Sequence, residues 1–340
     1  MAAVFVVSRH CSKEFCRKIS FSKANLPRSR RAYFPRSGHT RRQYGQGFGK
    51  NEIQPEIPQD VSKLRMIMRP LAFTIMTGAV SFGTCSILNY ERVRNSYIHA
   101  SKSYSPTTSR LPKLFGLRDE LNKWWNSLPG GSKTAAGIIF LNTAVFLLWR
   151  IPRMQPFMYK WFTASPGAVS SITLLSSTFS HMDLWHLGIN MFVLWSFAPH
   201  IEVLLGKEQF IAFYLTGGVV ASFASTAYRI AISSYLGASL GASGALLAVL
   251  SFVCIKQPDT RLAIVFLPFF TFSAGKGLLA IVGLDVAGLL FRWQLFDHAA
   301  HLGGVLFGAW YLKFGNHYLW EKRGWLVSQW HKIRGGHKRT

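Results

Sequence analysis

Acidic residues are scarce in this chain: 14 Asp and Glu stand against 39 Lys and Arg in 340 residues, and charge of both signs amounts to only 16%. With 49% hydrophobic residues and a mean hydropathy of +0.18, this argues strongly against a disordered chain and against a soluble enzyme. Cysteine is scarce too. Cys11, Cys16, Cys85 and Cys254 form no C-x-x-C pair, so neither a disulfide scaffold nor a zinc site is indicated. The His-Glu-x-x-His pattern of a zinc protease is missing, and His298 and His301 are three apart without the glutamate. No repeat links the two halves, which argues against a transporter built from paired broken helices. No nucleic-acid-binding motif accompanies the net charge of +25, and the basic residues lie in the tail and flanking segments, as at the ends of membrane proteins. Nucleic acid is therefore not an expected partner.

What is present divides sharply. Residues 1–50 carry twelve basic side chains, from Arg9 to Lys50, with interspersed serines and Glu14 as their one acid. No long apolar core follows Ala2–Val7, so the segment reads as a mitochondrial presequence rather than a secretory signal. The inner-membrane potential draws such positive charge toward the matrix. The alternative is a basic cytosolic tail. Residues 51–65, with Pro55, Pro58 and Asp60, read as a linker.

A bilayer core takes about twenty apolar helical residues. Pro70–Asn89 reads as a first span, within a unit 66–133 that ends in a basic loop around Asn122–Trp125. Thr134–Trp149, Leu184–Leu205, Gln209–Tyr228, Gly237–Ile255, Gly277–Phe291 and His298–Tyr311 read as six more, the last extending toward Trp320. Trp161–Ser180 is uncharged but rich in Ser, Thr and Gly, which suits a re-entrant or interfacial loop buried in protein. Leu262–Phe272 is ambiguous. The expected fold is all-α and polytopic: one extra transmembrane helix, then a six-helix core over 134–320, then a basic tail over 321–340. Positive charge on both sides leaves the orientation open.

Polar residues inside spans are functional candidates. His186 and Asn190 are four apart, hence on one helical face, where two donors can aim at a single oxygen. Gly237 and Gly241 form a small-xxx-small step that allows close helix approach. Ser243 in that span reads first as packing, because a serine hydroxyl can bond its own helix. His301 changes this reading. It heads a glycine stripe through Gly304 and Gly308, and two glycine-faced helices bring a serine Oγ to about 3 Å from an imidazole, the reach that proton transfer needs.

The order His186-x-x-x-Asn190, then Gly241-Ala242-Ser243-Gly244, then Ala300-His301-Leu302-Gly303-Gly304, on successive spans, resembles the rhomboid intramembrane serine proteases. Phe179-Ser180-His181 is similar to that family's approach to the His-Asn helix. The leader, the extra helix and Phe296–Gly304 resemble the mitochondrial, presenilin-associated rhomboid-like branch. The likeness covers roughly residues 65–335. It implies Ser243 as nucleophile, His301 as base, and an oxyanion hole made of His186, Asn190 and the Ser243 N–H. It implies a dyad with no acid behind the histidine, and no cofactor or metal.

The implied setting is the mitochondrial inner membrane. The implied substrates are single-pass transmembrane proteins, with links to quality control and apoptosis, and the lipid bilayer is a partner. Whether the chain pairs with itself or with inner-membrane scaffold proteins is left open. The Trp-Arg pair of bacterial members is absent from Trp161–Ser180, so that loop's lipid contacts need not follow the family. Ser239 fits a Gly-x-Ser-x-Gly elbow, but that motif needs a preceding strand and a soluble sheet. Asp285 is expected to be a bundle-facing acid bonded to a neighbour rather than a transporter's proton relay. The rival classes are a catalytically inactive rhomboid-like binding protein and a polytopic transporter.

Overall fold

The computed structural model describes residues 63–102 and 116–335, apart from 167, 169, 236, 265–266 and 294–295. The basic leader, most of the 51–65 linker, and the cysteines at 11 and 16 lie outside the described residues. Helix α1 is Lys63–Lys102, longer at both ends than the apolar run inside it, and α2 is a short amphipathic helix, Leu117–Ser127. Pro70 lies within α1, where its missing N–H leaves the Met66 carbonyl without a ladder bond, and Thr74 Oγ1 donates to the Pro70 carbonyl at 2.8 Å.

Helix α3 is Gly130–Trp149, and α4 (Gln155–Trp161) and the single turn α5 (Thr173–Ser176) lie in the connection to α6. Helix α6, Leu184–Leu205, starts where the Asp183 carboxylate accepts from the His186 N–H at 2.9 Å. It stops at Gly206, whose φ of +81° turns the chain into α7, Lys207–Ala231. Helix α8 is Ser243–Lys256, followed by a hairpin of β1 (Arg261–Ile264) and β2 (Leu267–Ser273). Helix α9 is Ala274–Leu290, and α10 is His298–Trp310, prolonged by a π-helical stretch Tyr311–Trp320. A last helix, α11, is Gly324–Gly335.

By length and composition α1, α3, α6 and α7 can each cross a membrane. With α8, α9 and α10 they make the expected architecture of one helix and a six-helix bundle. Helix α8 is apolar on every side and buried from Gly244 to Cys254, which makes it the axis of the bundle. The extra helix is integral to the packing. Glu208 at the start of α7 accepts from Arg92 at 2.7 and 2.8 Å, while Glu91 accepts from Trp330 of α11 at 2.8 Å.

One expectation needs correction, and one open reading is decided. The fifth span does not start at Gly237. Residues 237–242 are irregular, and Gly237 and Gly241 sit at φ of +83° and +123°, a backbone region that glycine adopts freely. These two are therefore not a helix-packing step. The segment is fastened by antiparallel pairing of Ala164 with Ser239 and by the Gly241 N–H, which donates to the Ser177 carbonyl at 2.9 Å. The ambiguous Leu262–Phe272 run is no helix: it lies within the hairpin, whose β-branched and aromatic residues suit paired strands.

Close packing is supplied by other small residues. A side chain at Gly304 of α10 would collide with the Gly244 carbonyl of α8, and one at Gly308 with Ser251 and the Ala248 carbonyl. Gly244 meets Ala221 of α7, as does Gly303. Three helices thus lock backbone to backbone. Replacing Gly304 by alanine should cost about 1–3 kcal/mol through overpacking, visible as a lowered thermal midpoint in detergent. An unchanged midpoint would contradict the backbone contact.

Candidate active site

Ser243 is the first residue of α8, so its own N–H and those of the next two residues have no carbonyl one turn back. The helix dipole adds positive potential at this end. Asp297 caps α10 by accepting from the Ala300 N–H at 3.1 Å, and this sets where His301 sits, one turn inside the helix. Asp297 also accepts from Ser225 Oγ at 2.5 Å and lies 3.5 Å from Arg229, both on α7. Burial would raise the Asp297 carboxyl, but Arg229 and the Ser225 and Ser239 hydroxyls outweigh it and hold it below the usual carboxylate value.

The serine and the histidine meet. His301 Nε2 lies 3.0 Å from Ser243 Oγ. The backbone contact of Gly304 with Gly244, three residues beyond His301 and one beyond Ser243, makes this short reach feasible. Behind the imidazole stands an acid where none was expected. Asp285 of α9 is fully buried, and its Oδ1 lies 3.0 Å from His301 Nδ1 and 2.7 Å from His298 Nδ1.

The other two predicted residues lie on the first turns of α6. The His186 ring packs against Gly241, where even a methyl group would come 2.7 Å from the ring. Asn190 does not aim freely at the serine: its amide donates to the His186 carbonyl at 2.8 Å and to His181 Nε2 at 3.2 Å. His181, which the sequence reading placed in the approach to this helix, was given no role there. Its Nε2 also accepts from the Ala242 N–H at 3.3 Å, so one ring ties the Asn190 side chain to the backbone just before Ser243. Burial, helped by neighbouring His186, pushes His181 down to about 3, so the ring is neutral and Nε2 is free to accept. The signal was the Phe179-Ser180-His181 motif itself, which carries a polar pair in an otherwise uncharged stretch.

Among the described residues, Asp285, His298 and His301 have ligand atoms within 4.8 Å of one another. Both imidazoles sit at hydrogen-bond length from one oxygen, whereas a tetrahedral zinc would hold its ligand atoms about 3.3 Å apart. The arrangement fits proton sharing. Chemically, it sets a hydroxyl within hydrogen-bond reach of an imidazole, beside the free N–H groups at the start of α8.

Because the folded pKa of His181 lies below the ordinary imidazole value of about 6.5, the unfolded chain binds the extra proton. Stability should therefore fall as pH drops from 6.5 toward 3. His181→Gln, which accepts the same N–H groups but does not titrate, should flatten that decline in acid-unfolding curves. Identical slopes would contradict the neutral-ring arrangement.

The rhomboid domain model matches residues 169–316. The chain is 44% identical over 299 residues to the mitochondrial presenilin-associated rhomboid-like protein of Mus musculus, covering 85% of this chain and 79% of that protein. Identity and coverage are the same for its counterpart in Homo sapiens. Rhomboid protein 1, mitochondrial, of Saccharomyces cerevisiae is 35% identical over 194 residues, covering 56% of this chain and 52% of that one.

Proposed function

Because the chain belongs to the rhomboid family, we propose that it is an active intramembrane serine endopeptidase of the mitochondrial inner membrane, cleaving single-pass proteins in or near their membrane helix. Rhomboids include members without activity, so the site must carry the claim. The observation that carries it is the 3.0 Å approach of His301 Nε2 to Ser243 Oγ. An inactive binding protein has no use for a hydroxyl held at proton-transfer distance from an imidazole.

In the proposed reaction a substrate helix enters from the side, over the exposed face of α9. Helix α9 packs on α8 and α10 and exposes Leu279, Leu284 and Leu290. The substrate unwinds locally, since a helical carbonyl is tied up in its own ladder, and helix-breaking residues near the cut favour this. Ser243 Oγ attacks the exposed carbonyl carbon while its proton passes to His301 Nε2. The oxyanion forms beside the Ser243 N–H and the His186 and Asn190 side chains. For Asn190 this means exchanging one of its present acceptors for the oxyanion. Collapse breaks the C–N bond as His301 returns the proton to the leaving amine. Water then resolves the ester by the same route reversed. The residues need no metal or cofactor for these steps.

The mitochondrial names of the relatives and the basic leader support the location. By the same family likeness we assign the enzyme to quality control and apoptosis-related processing. Domain limits follow the sequence reading: leader 1–50, linker 51–65, extra helix and loop 66–133, core 134–320 and basic tail 321–340.

Ser243→Ala and His301→Ala should each abolish cleavage of a single-pass substrate in proteoliposomes, because the two groups act as a unit. Asn190→Ala should cost about 10²–10³ in rate, the usual worth of one oxyanion donor. Unchanged cleavage by Ser243→Ala would refute Ser243 as the nucleophile, and no cleavage by the wild type would leave the inactive, binding-protein reading in its place.

A further inference from the structure

We propose that α2 is a surface anchor whose apolar face lies in the interfacial layer of the bilayer, at the end of the bundle opposite Ser243. The occupant of that face is lipid. The role concerns the connection between α1 and α3, and it does not depend on the chemistry assigned to Ser243 and His301.

The residues of α2 sort by face. At about 100° per residue, Leu121, Trp124 and Trp125 fall within one arc of about 100°, and every polar residue of the helix falls outside it. A helix lying along a membrane surface buries an arc of this kind. Among the described residues the arc stands open. Every residue from Glu120 to Ser127 is exposed, with Leu121 at 63%, Trp124 at 55% and Trp125 at 41%. The two indoles meet each other, with ring centroids 6.4 Å apart.

Position decides what fills the arc. Leu128 and Pro129 alone link α2 to α3, a reach of at most about 10 Å. Lys133, in the first turn of α3, donates from Nζ to the Asn126 carbonyl at 3.4 Å and so pins the end of α2. Charge marks the level at which α3 begins. Gly130 packs on Glu202 near the end of α6, Glu202 accepts from Thr134 Oγ1 at 2.6 Å, and Lys207 opens α7 just beyond. Helix α2 is therefore tethered where the spans leave the hydrocarbon. His186, beside the catalytic serine's loop, lies sixteen residues back along α6 from Glu202, about 24 Å away. Helix α2 is thus no lid over the site.

Two other occupants fit less well. Attachment to an anionic surface by charge alone calls for a basic helix, but Asp119 and Glu120 balance Arg118 and Lys123, so apolar burial must hold the face. A protein partner, a second copy included, finds little area. The three side chains expose roughly 350 Å² together, against about 800 Å² per partner in a stable interface. Paired tryptophans suit the interfacial layer, where the ring meets acyl chains and the N–H meets water.

The test uses the full chain in proteoliposomes with Cys11→Ala and Cys16→Ala. Cys85 and Cys254 are buried, which shields them from a thiol reagent, and this background chain is labelled as the control. A nitroxide is attached in turn to Leu121→Cys, Trp124→Cys, Asn122→Cys and Asn126→Cys. Its collisions are measured with oxygen, which concentrates in lipid, and with a nickel chelate, which stays in water. Oxygen should dominate several-fold at 121 and 124, and nickel at 122 and 126. The pattern should be the same in phosphatidylcholine vesicles with and without phosphatidylglycerol. A second measurement needs no cysteine and decides if the labelled variants fail to fold. Brominated lipid should quench tryptophan emission less in the Trp124→Ala, Trp125→Ala double variant than in the wild type.

Nickel dominance at 121 and 124 would place the face in water, and few collisions with either reagent would place it against protein. Either result overturns the proposal. So does an oxygen preference that appears only with phosphatidylglycerol, or brominated-lipid quenching that the double substitution leaves unchanged.

Discussion

The contact on which the rest depends is that of Gly304 on α10 with the Gly244 carbonyl on α8. Without side chains there, the two backbones meet, and the residues just beyond them, Ser243 and His301, come within a single hydrogen bond. Serine reaches barely two bonds from its backbone, so this distance is set by helix separation. Leucine-faced helices pack with axes 8–10 Å apart through interdigitated side chains, and would hold the same groups out of touch. The further small residues, Gly303 against Ala221 and Gly308 against Ala248, extend the close seam along α10.

That seam places strongly polar groups in a medium where an unpaired one is costly. The chain answers with two compact networks. On the α6 side, His181 accepts from both Asn190 and the Ala242 N–H, coupling an oxyanion candidate to the turn that delivers the nucleophile. On the α9 side, a single carboxylate oxygen serves two imidazoles. Irregular backbone at this depth is tolerated for the same reason. In the 237–242 segment Ser239 pairs with Ala164, and the Gly241 N–H donates to the Ser177 carbonyl. Helix α8 has only 14 residues and rises about 21 Å, less than the ~30 Å of a hydrocarbon core.

The helices were legible because long apolar runs have few other uses, and His301 with its glycine stripe was legible because the spacing of three and four puts all of it on one face. The start of α8 was not. Gly237–Ala242 has the small-residue composition of a packed helix, and only the positive φ values at Gly237 and Gly241 reveal a turn. The hairpin escaped because a short apolar run fits strand and helix alike. Asp285 was correctly expected to bond a neighbour. Which neighbour depends on α9 lying against α10, a tertiary fact with no local spacing to betray it. His181 was hidden the same way: its partners are nine and sixty-one residues away.

The central claim, that one hydroxyl and one imidazole touch inside the bundle, is tested most directly by a chloroisocoumarin that first acylates a serine and then alkylates a nucleophile within reach. After reaction in membranes and digestion, mass spectrometry should find a single reagent joining the peptide that contains Ser243 to the one that contains His301. A reagent joined to Ser243 but bridged to another residue, or no adduct on Ser243 in a folded protein, would contradict the account.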